Sequence, residues 1–382
     1  GDTKLIYDEI KLIEDEVLDK QLAVDLPRCH KYYSLLNNNI GREKIRQVIL
    51  KWISSDQKNV YWQGLDSICA PFVVLNYNRL DLALVCIEQF INKFLDNFFV
   101  TTNMHVLAEY LQCFVCLISF HDPELSHHLL KIKFDPNLYA ISWFLTLFGH
   151  VFQMENLMLL WDNWLAGDST MPLFTGLTLI KEIHRDKILE SDFDSCITIF
   201  SKKFITNVND LNSFANMYYI STPSSITFRK HMNLSAYSSS LINSKFIVNP
   251  IHYNLDITIG KIFGQELADI IDGIHSHFNL EKIKIIDIRS KAEYQRGHLP
   301  QSVHFPITIE QLTKNGKSTI AKFENLQSNI KNYKLKIIIG EEFDIRLKLG
   351  NYIVYKLYIP NVCICSTEMD IFSKYNMLTS IV

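Results

Sequence analysis

LVCIEQFINKFLDNFF, residues 84–99, places apolar side chains at Ile87, Phe90, Ile91, Phe94, Leu95 and Phe98. Steps of three and four residues put these six on one face of an α-helix that must be covered by something else. Similar stripes run through 107–118, 139–148 and 155–165. Turn-forming stretches separate them: LNNNIG at 36–41, FHDPEL at 120–125, KFDPNL at 133–138 and LAGDST at 165–170. Residues 1–225 therefore read as an all-helical domain.

Further along, the period changes. Residues 226–262, including HMNLSAYSSSLINSK, are polar, serine-rich and without a sustained repeat, the pattern of a linker or long loop. KIKIIDIR at 282–289, KLKIIIG at 334–340 and NVCIC at 361–365 are short β-branched runs separated by helical stretches. That order predicts an α/β domain over 263–382 with a parallel sheet and covering helices. A chain of 382 residues is long enough for two such domains, each with its own core.

Composition narrows the function classes. With a net charge of −3, no global field recommends nucleic acid or an anionic membrane as the main partner. The longest apolar stretch, YAISWFLTLFGHVF at 139–152, falls short of the ~18–20 residues needed to span a bilayer and reads as a buried helix. The opening GDTKLIYDEI carries acids where a secretory signal would be basic and then apolar. Because it starts on Gly1, the chain is expected to be a piece of something longer. Eight cysteines scattered through apolar segments suit a reducing compartment better than a disulfide framework. The one CxxC, Cys113–Cys116, sits in a helical pattern with no second pair nearby and reads as buried thiols. His121, His127 and His128 lack a carboxylate or cysteine at metal-ligand spacing and read as surface or packing residues.

Two short stretches carry candidate chemistry. In VDLPRCH, residues 24–30, Asp25 can accept the unpaired amide hydrogens of a helix start, and Pro27 fits the first turn. Arg28 would then sit at a rigid helix end. A helix running to about Leu36 would be ~16 Å long, and one over about 42–54 would return ~20 Å antiparallel to it. YWQG at 61–64 would thereby come back near Arg28. An arginine and a glutamine side by side suit a phosphoryl-transfer transition state: the guanidinium neutralises charge and the carboxamide orients a water. Spacing alone also fits a salt-bridged surface arginine and an ordinary loop glutamine.

LAVDLPRCH resembles the I-x-x-D-x-x-R motif of TBC domains, the GTPase-activating domains for Rab-family GTPases, with Leu22, Asp25 and Arg28 at the three motif positions. YWQG resembles their Y-x-Q-G motif, and FHDPELSHHL, PNLYAISWFLTLFGHVF and LLWDNWL look like later helices of the same domain. The resemblance implies an all-helical fold in which Arg28 and Gln63 act in trans, supported by Asp25, Tyr61 and Gly64. It implies no cofactor of the chain's own, since GTP and Mg²⁺ are held by the partner. Two departures stand out. The R-G-x-x-W segment that usually precedes the arginine is missing, and with it the first helix; Ser142 stands where many members have an arginine. Trp161 and Asp162 also match family positions and are assigned to the scaffold.

IIDIRSKAEYQRGHLPQSVHFP at 285–306 resembles the D-x-R-x-x-x-E-(Y/F)-x-x-G-H-I segment of rhodanese domains, through Asp287, Arg289, Glu293, Gly297 and His298. Ser290 and Glu293 also have capping-box spacing. A working rhodanese needs a cysteine thiolate in the loop after a later strand, but GEEFDIR at 340–346 has none. Arg346 falls six positions after Gly340, the offset of a cysteine-phosphatase loop, yet Glu341, Glu342 and Asp344 would repel an anion. Cys363 and Cys365, two apart on a strand, read as buried thiols on one face. The domain is expected to be catalytically silent, a docking or stabilising module.

The TBC-then-rhodanese order resembles the C-terminal part of the TBC-domain-containing protein kinase-like family. That resemblance implies a GTPase activator for a GTP-bound Rab, cytoplasmic and recruited peripherally to endosomal membranes, with other subunits of a larger assembly reached through the rhodanese-like domain. The alternative is a non-catalytic Rab-binding scaffold.

Overall fold

The computed structural model describes residues 2–101, 103–201, 206–230, 258–275, 277–313, 317–374 and 376–379. Up to residue 230 the chain is helical. It contains α1 (Thr3–Glu9), α2 (Glu16–Asp25), α3 (Asn39–Ser55), α4 (Leu65–Leu75), α5 (Leu80–Phe94), α6 (Met104–His121) and α7 (Pro123–Lys131), then α8 (Ala140–Leu145), α9 (Met154–Ala166), α10 (Met171–Thr178), α11 (Arg185–Leu189), α12 (Phe193–Phe200) and α13 (Val208–Ile220). Side-chain acceptors open several of them. Asp15 takes the N–H groups of Val17 and Leu18 before α2, Asn38 that of Gly41 before α3, and Asp122 that of Leu125 before α7. Each such cap is worth about 1 kcal/mol.

The stripe over 84–99 buries all six of its apolar residues, but α5 carries only the first four. Leu95 and Phe98 are reached after the helix end, where Asn97 takes a left-handed φ of 62°. The apolar run 139–152 departs further from the expected single helix. It is helical only over α8; then Leu147 and Phe148 adopt φ of 45° and 66° and the chain reverses. Phe144, Leu147, Phe148 and Phe152 are all buried, so they need more than one face, and a reversal supplies it. Trp161 fixes the reversal by donating its indole N–H to the Leu147 carbonyl at 2.9 Å. The same ring stacks on Phe72 and packs at 4.5 Å from Phe90, an aromatic cluster at the centre of the helical domain.

α6 is apolar nearly all round because it has neighbours nearly all round: α7, α8 and α10 on the helical side and a strand of the next domain on the other. Among the described residues it is the one helix long and apolar enough to cross a membrane, and 72% of it is buried within the protein.

The second domain is a five-stranded parallel sheet in the order β1 (Gly260–Ile262), β5 (Val362–Cys365), β4 (Leu335–Ile339), β2 (Ile283–Asp287), β3 (Ser302–His304). Three of these strands match the β-branched runs; β1 and β3, of three residues each, give no such signal. Alternation along the strands sorts side chains to two faces. Ile283, Ile285, Ile337, Ile339, Cys363 and Cys365 join the core of the helical domain, while Ile286, Ile338 and Ile364 pack beneath the helices Lys317–Ile330 and Phe343–Tyr355.

The passage 226–262 is a linker only in part. HMNLSAYSSSLINSK lies outside the described residues, but both flanks are packed: Ile226 and Arg229 are buried, and β1 is an edge strand against α6. A buried carboxylate closes the junction. Glu266 accepts from the Ser224 N–H at 2.6 Å, the Ser225 N–H at 2.9 Å and the Ser225 hydroxyl. Asn361 N–H donates to the Phe120 carbonyl at 2.7 Å, and Ser126 and Tyr355 pair at 3.2 Å. Glu266→Ala leaves these donors without their acceptor and is expected to cost about 2–4 kcal/mol. Because one core runs through both domains, urea unfolding should remain a single transition moved to lower denaturant. Two separate transitions, only one of them shifted, would contradict the shared core.

Candidate functional site

Asp25 is not the cap of a helix opened by Pro27. It is the last residue of α2, which its own stripe of Leu18, Leu22 and Leu26 docks against the core. Pro27 has no N–H with which to continue the helical ladder, so the chain leaves in a series of turns. No helix runs on to Leu36. The turns are tight: Arg28 and Cys29 N–H groups both return to the Asp25 carbonyl, at 2.9 and 3.2 Å. His30 takes a left-handed φ of 41°. Arg28 therefore stands just past a helix C-terminus rather than at an N-terminus.

The neighbourhood expected for YWQG is present, by a different route. α3 runs back over 17 residues, and the loop after it is strapped to the segment that follows α5 by the Val60 N–H, which donates to the Phe99 carbonyl at 2.9 Å. Tyr61 then donates its hydroxyl to Asp25 Oδ2 at 3.0 Å, while Arg28 Nη2 donates to Asp25 Oδ1 at 2.5 Å. One carboxylate, 6% exposed, thus ties both motif-bearing segments together. Gly64 follows with φ of 113° and begins α4; a Cβ there would lie 2.8 Å from Thr146 Cγ2. Only glycine fits both the dihedral and the approach.

Arg28, Gln63 and Asp25 line one open cleft of about 360 Å³, together with Cys29, Lys31, Asp66 and His150. The Arg28 side chain is 61% exposed, and Gln63 is exposed with its carboxamide making no hydrogen bond to another described residue. Burial pushes Asp66 above the usual carboxylate range, against the Cys29 thiol that hydrogen-bonds to it. Burial and then Asp66 push the Cys29 thiol well up, so it stays protonated beside the arginine. Tyr61 is likewise pushed up by burial and by the Asp66 and Asp25 charges, which leaves its hydroxyl a donor at any ordinary pH.

Motif reasoning does not reach Asp66, Lys31 or His150. Asp66 does leave a signal, an acid in the first turn of the otherwise apolar LDSICAPFVVL, where it accepts the Gly64 N–H at 3.2 Å. His150 leaves none. It arrives only through the reversal at Leu147 and Phe148, and pairs with Ser67 at 2.9 Å. Ser142, at the departure from the family pattern, donates to the Tyr139 carbonyl at 2.9 Å. Trp161 is buried and Asp162 exposed.

In the second domain the motif residues are structural. Asp287 and Arg289 form a buried ion pair at 2.6 Å, and Arg289 also donates to the Gly297 carbonyl at 2.8 Å. Ser290 and Glu293 form the capping box that opens the helix Lys291–Arg296. His298 pairs with the backbone of Thr379. The loop expected over 340–346 is helical from Phe343 on, and Arg346, in the first turn of the helix Phe343–Tyr355, is not presented to an anion: it is buried and donates to the carbonyls of Cys365 and Thr367 at 2.8 and 3.1 Å. Burial pushes Cys363 and Cys365 up, the latter to about 11, and Cys116 also to about 11. None of the eight cysteines forms a disulfide. His121, His127 and His128 reach Thr222, Tyr358 and the Ser191 carbonyl respectively, three separate places.

Two variants probe this geometry. Gly64→Ala is expected to cost about 1–3 kcal/mol through the forced left-handed φ, measured by urea denaturation. For Asp66, a folded pKa raised above the unfolded value means stability is lost as pH rises from the unfolded value through the folded one. Asp66→Asn keeps the shape and removes that loss, so its stability advantage over wild type should grow over the pH window above the ordinary carboxylate value of about 4. A constant difference across that window would show that burial does not perturb Asp66.

Comparison with known proteins agrees with this architecture. A Rab-GTPase-TBC domain model matches residues 2–189 and a rhodanese-like domain model matches residues 271–367. The TBC domain-containing protein kinase-like protein of Homo sapiens is 33% identical over 98% of this chain and 45% of its own length. The protein of the same name from Dictyostelium discoideum is 32% identical over 81% of this chain and 29% of its own. The chain thus spans less than half the length of these relatives. Among solved structures, the Ypt/Rab-GAP domain of Gyp1p aligns with 57% of this chain and 77% of its own at a TM-score of 0.49 and 17% identity. The chain is a helical Rab-GTPase-TBC domain followed by a rhodanese-like domain with a parallel sheet, the arrangement in which it resembles TBC domain-containing protein kinase-like proteins.

Proposed function

We propose that the helical domain is a GTPase activator for a GTP-loaded Rab-family GTPase, presenting Arg28 and Gln63 in trans to the bound nucleotide. A TBC domain implies a Rab GTPase-activating type of function. The observation that supports the finer reading is the convergence of Arg28 and Gln63 on one open cleft, with Asp25 joining their segments.

In this reading a water held by the partner attacks the γ-phosphate. The Gln63 carboxamide accepts from that water and donates to a phosphate oxygen, and the Arg28 guanidinium offsets charge on the leaving and equatorial oxygens. Neither role requires a proton transfer to or from the chain. Asp25 orients Arg28, Tyr61 holds Asp25, and Gly64 lets the glutamine loop approach α8. GTP and Mg²⁺ belong to the partner, and the chain brings no cofactor of its own. It would be cytoplasmic, drawn peripherally to whichever membrane carries the GTPase, with the rhodanese-like domain serving as a stabilising or docking module rather than a sulfurtransferase.

Single-turnover GTP hydrolysis across a panel of Rab-family GTPases tests this. Arg28→Ala should remove most of an acceleration of about 10³–10⁵-fold while leaving binding to the GTP-loaded partner measurable. Arg28→Lys should recover little, since a point charge cannot reproduce the planar fork. Gln63→Ala should also slow hydrolysis. Nucleotide-dependent binding with no acceleration by the wild-type chain would replace this reading with that of a Rab-binding scaffold.

A further inference from the structure

A second cleft, of about 640 Å³, opens between the two domains on the side of the sheet away from the Gly340 loop. Lys282 and Lys334 stand at the leading ends of the parallel strands β2 and β4, and the Lys334 N–H donates to the Lys282 carbonyl at 2.8 Å, so the two side chains rise from adjacent strands. From the helical domain, Lys181 reaches the same space, its ammonium donating to the Tyr218 hydroxyl at 2.8 Å and lying 3.4 Å from the Glu182 carboxylate. Among the described residues no aspartate or glutamate lines the cleft itself, although acidic residues outnumber basic ones in the chain as a whole. Met217 and Ile220 form an apolar wall beside the lysines, and both are about half exposed.

We propose that this cleft binds a phosphate-bearing ligand, its phosphates on Lys181, Lys282 and Lys334 and its carbon skeleton against Met217 and Ile220. Ammonium groups on flexible stems are suited to phosphate as point charges. The volume falls within the range of about 300–1,000 Å³ typical of small-molecule sites. Because one lysine comes from the helical domain and two from the sheet, such a ligand would bridge the domains. A soluble phosphorylated metabolite and a phosphorylated lipid headgroup share this chemistry.

The 382-residue chain would be titrated calorimetrically with inorganic pyrophosphate and with inositol trisphosphate, and sedimented with phosphatidylcholine vesicles containing phosphatidylinositol bisphosphate. At least one probe should bind, and binding should weaken as salt is raised. The double variant Lys282→Glu with Lys334→Glu should weaken it by about tenfold or more, with an unliganded melting temperature equal to wild type because both side chains are exposed. The bound probe should raise the melting temperature of wild type and not of the variant. Binding of the soluble probes alone assigns a metabolite, and vesicle binding assigns a headgroup. No binding of any probe, or equal binding by the double variant, overturns the proposal. None of the three lysines lines the cleft of Arg28, so failure here would leave the GTPase-activating reading untouched.

Discussion

The two oxygens of Asp25 hold the candidate site together. One accepts from Arg28, the other from Tyr61, and the carboxylate itself is buried at the end of α2. An uncompensated carboxylate at that depth would cost several kcal/mol, so both partners are needed where they are. Tyr61 can be only a donor there, and Gln63, two positions further along the same loop, lines one cleft with Arg28. The arginine is therefore positioned by a group that leaves most of its side chain in solvent, which is what a residue acting on another molecule requires.

Support for that carboxylate comes from far away in the chain. α4 begins directly after the glutamine loop, and Gly64 is pressed against Thr146, at the end of α8. α8 is fixed by the reversal that Trp161 caps, and Trp161 stacks on Phe72 of α4 and packs on Phe90 of α5. The aromatic cluster thus closes a ring of contacts α4–α8–α9–α5 behind the cleft. Aromatic pairs of this kind contribute about 0.5–1.5 kcal/mol each beyond the area they bury, and their shapes leave few alternative packings.

Much of this is legible in the sequence where a side chain's role is local. Stripes locate α5, α6 and α9, turn-forming stretches locate the breaks before α3 and α7, and β-branched runs locate β2, β4 and β5. Asp25 and Arg28 are neighbours for a reason inverse to the one their spacing suggests: a proline just after an acid can follow a helix as well as begin one, and the stripe Leu18, Leu22, Leu26 decides for the former. The reversal at Leu147 and Phe148 is not legible, because two non-glycine residues at positive φ are held there by tertiary packing against local preference. His150 is hidden with it. β1 is concealed in a polar passage since three residues carry no period, and it is a strand only because β5 and α6 are beside it.

The second domain shows the same separation of local and tertiary demands. Asp287, Arg289 and Gly297 match the rhodanese pattern and are tied into one buried network that sets the path from β2 into the next helix. Their role is satisfied without any chemistry. The stretch 340–346 also serves the fold: Gly340, whose φ of 157° and close approach to the Ile288 side chain leave no room for a Cβ, turns the chain into the helix Phe343–Tyr355. Its acids are exposed, and Arg346, its one cation, is committed to the carbonyls of Cys365 and Thr367 at and just past the end of β5. With its other sheet face sealed against the helical domain, this unit is best understood as the outer layer of a single folded body.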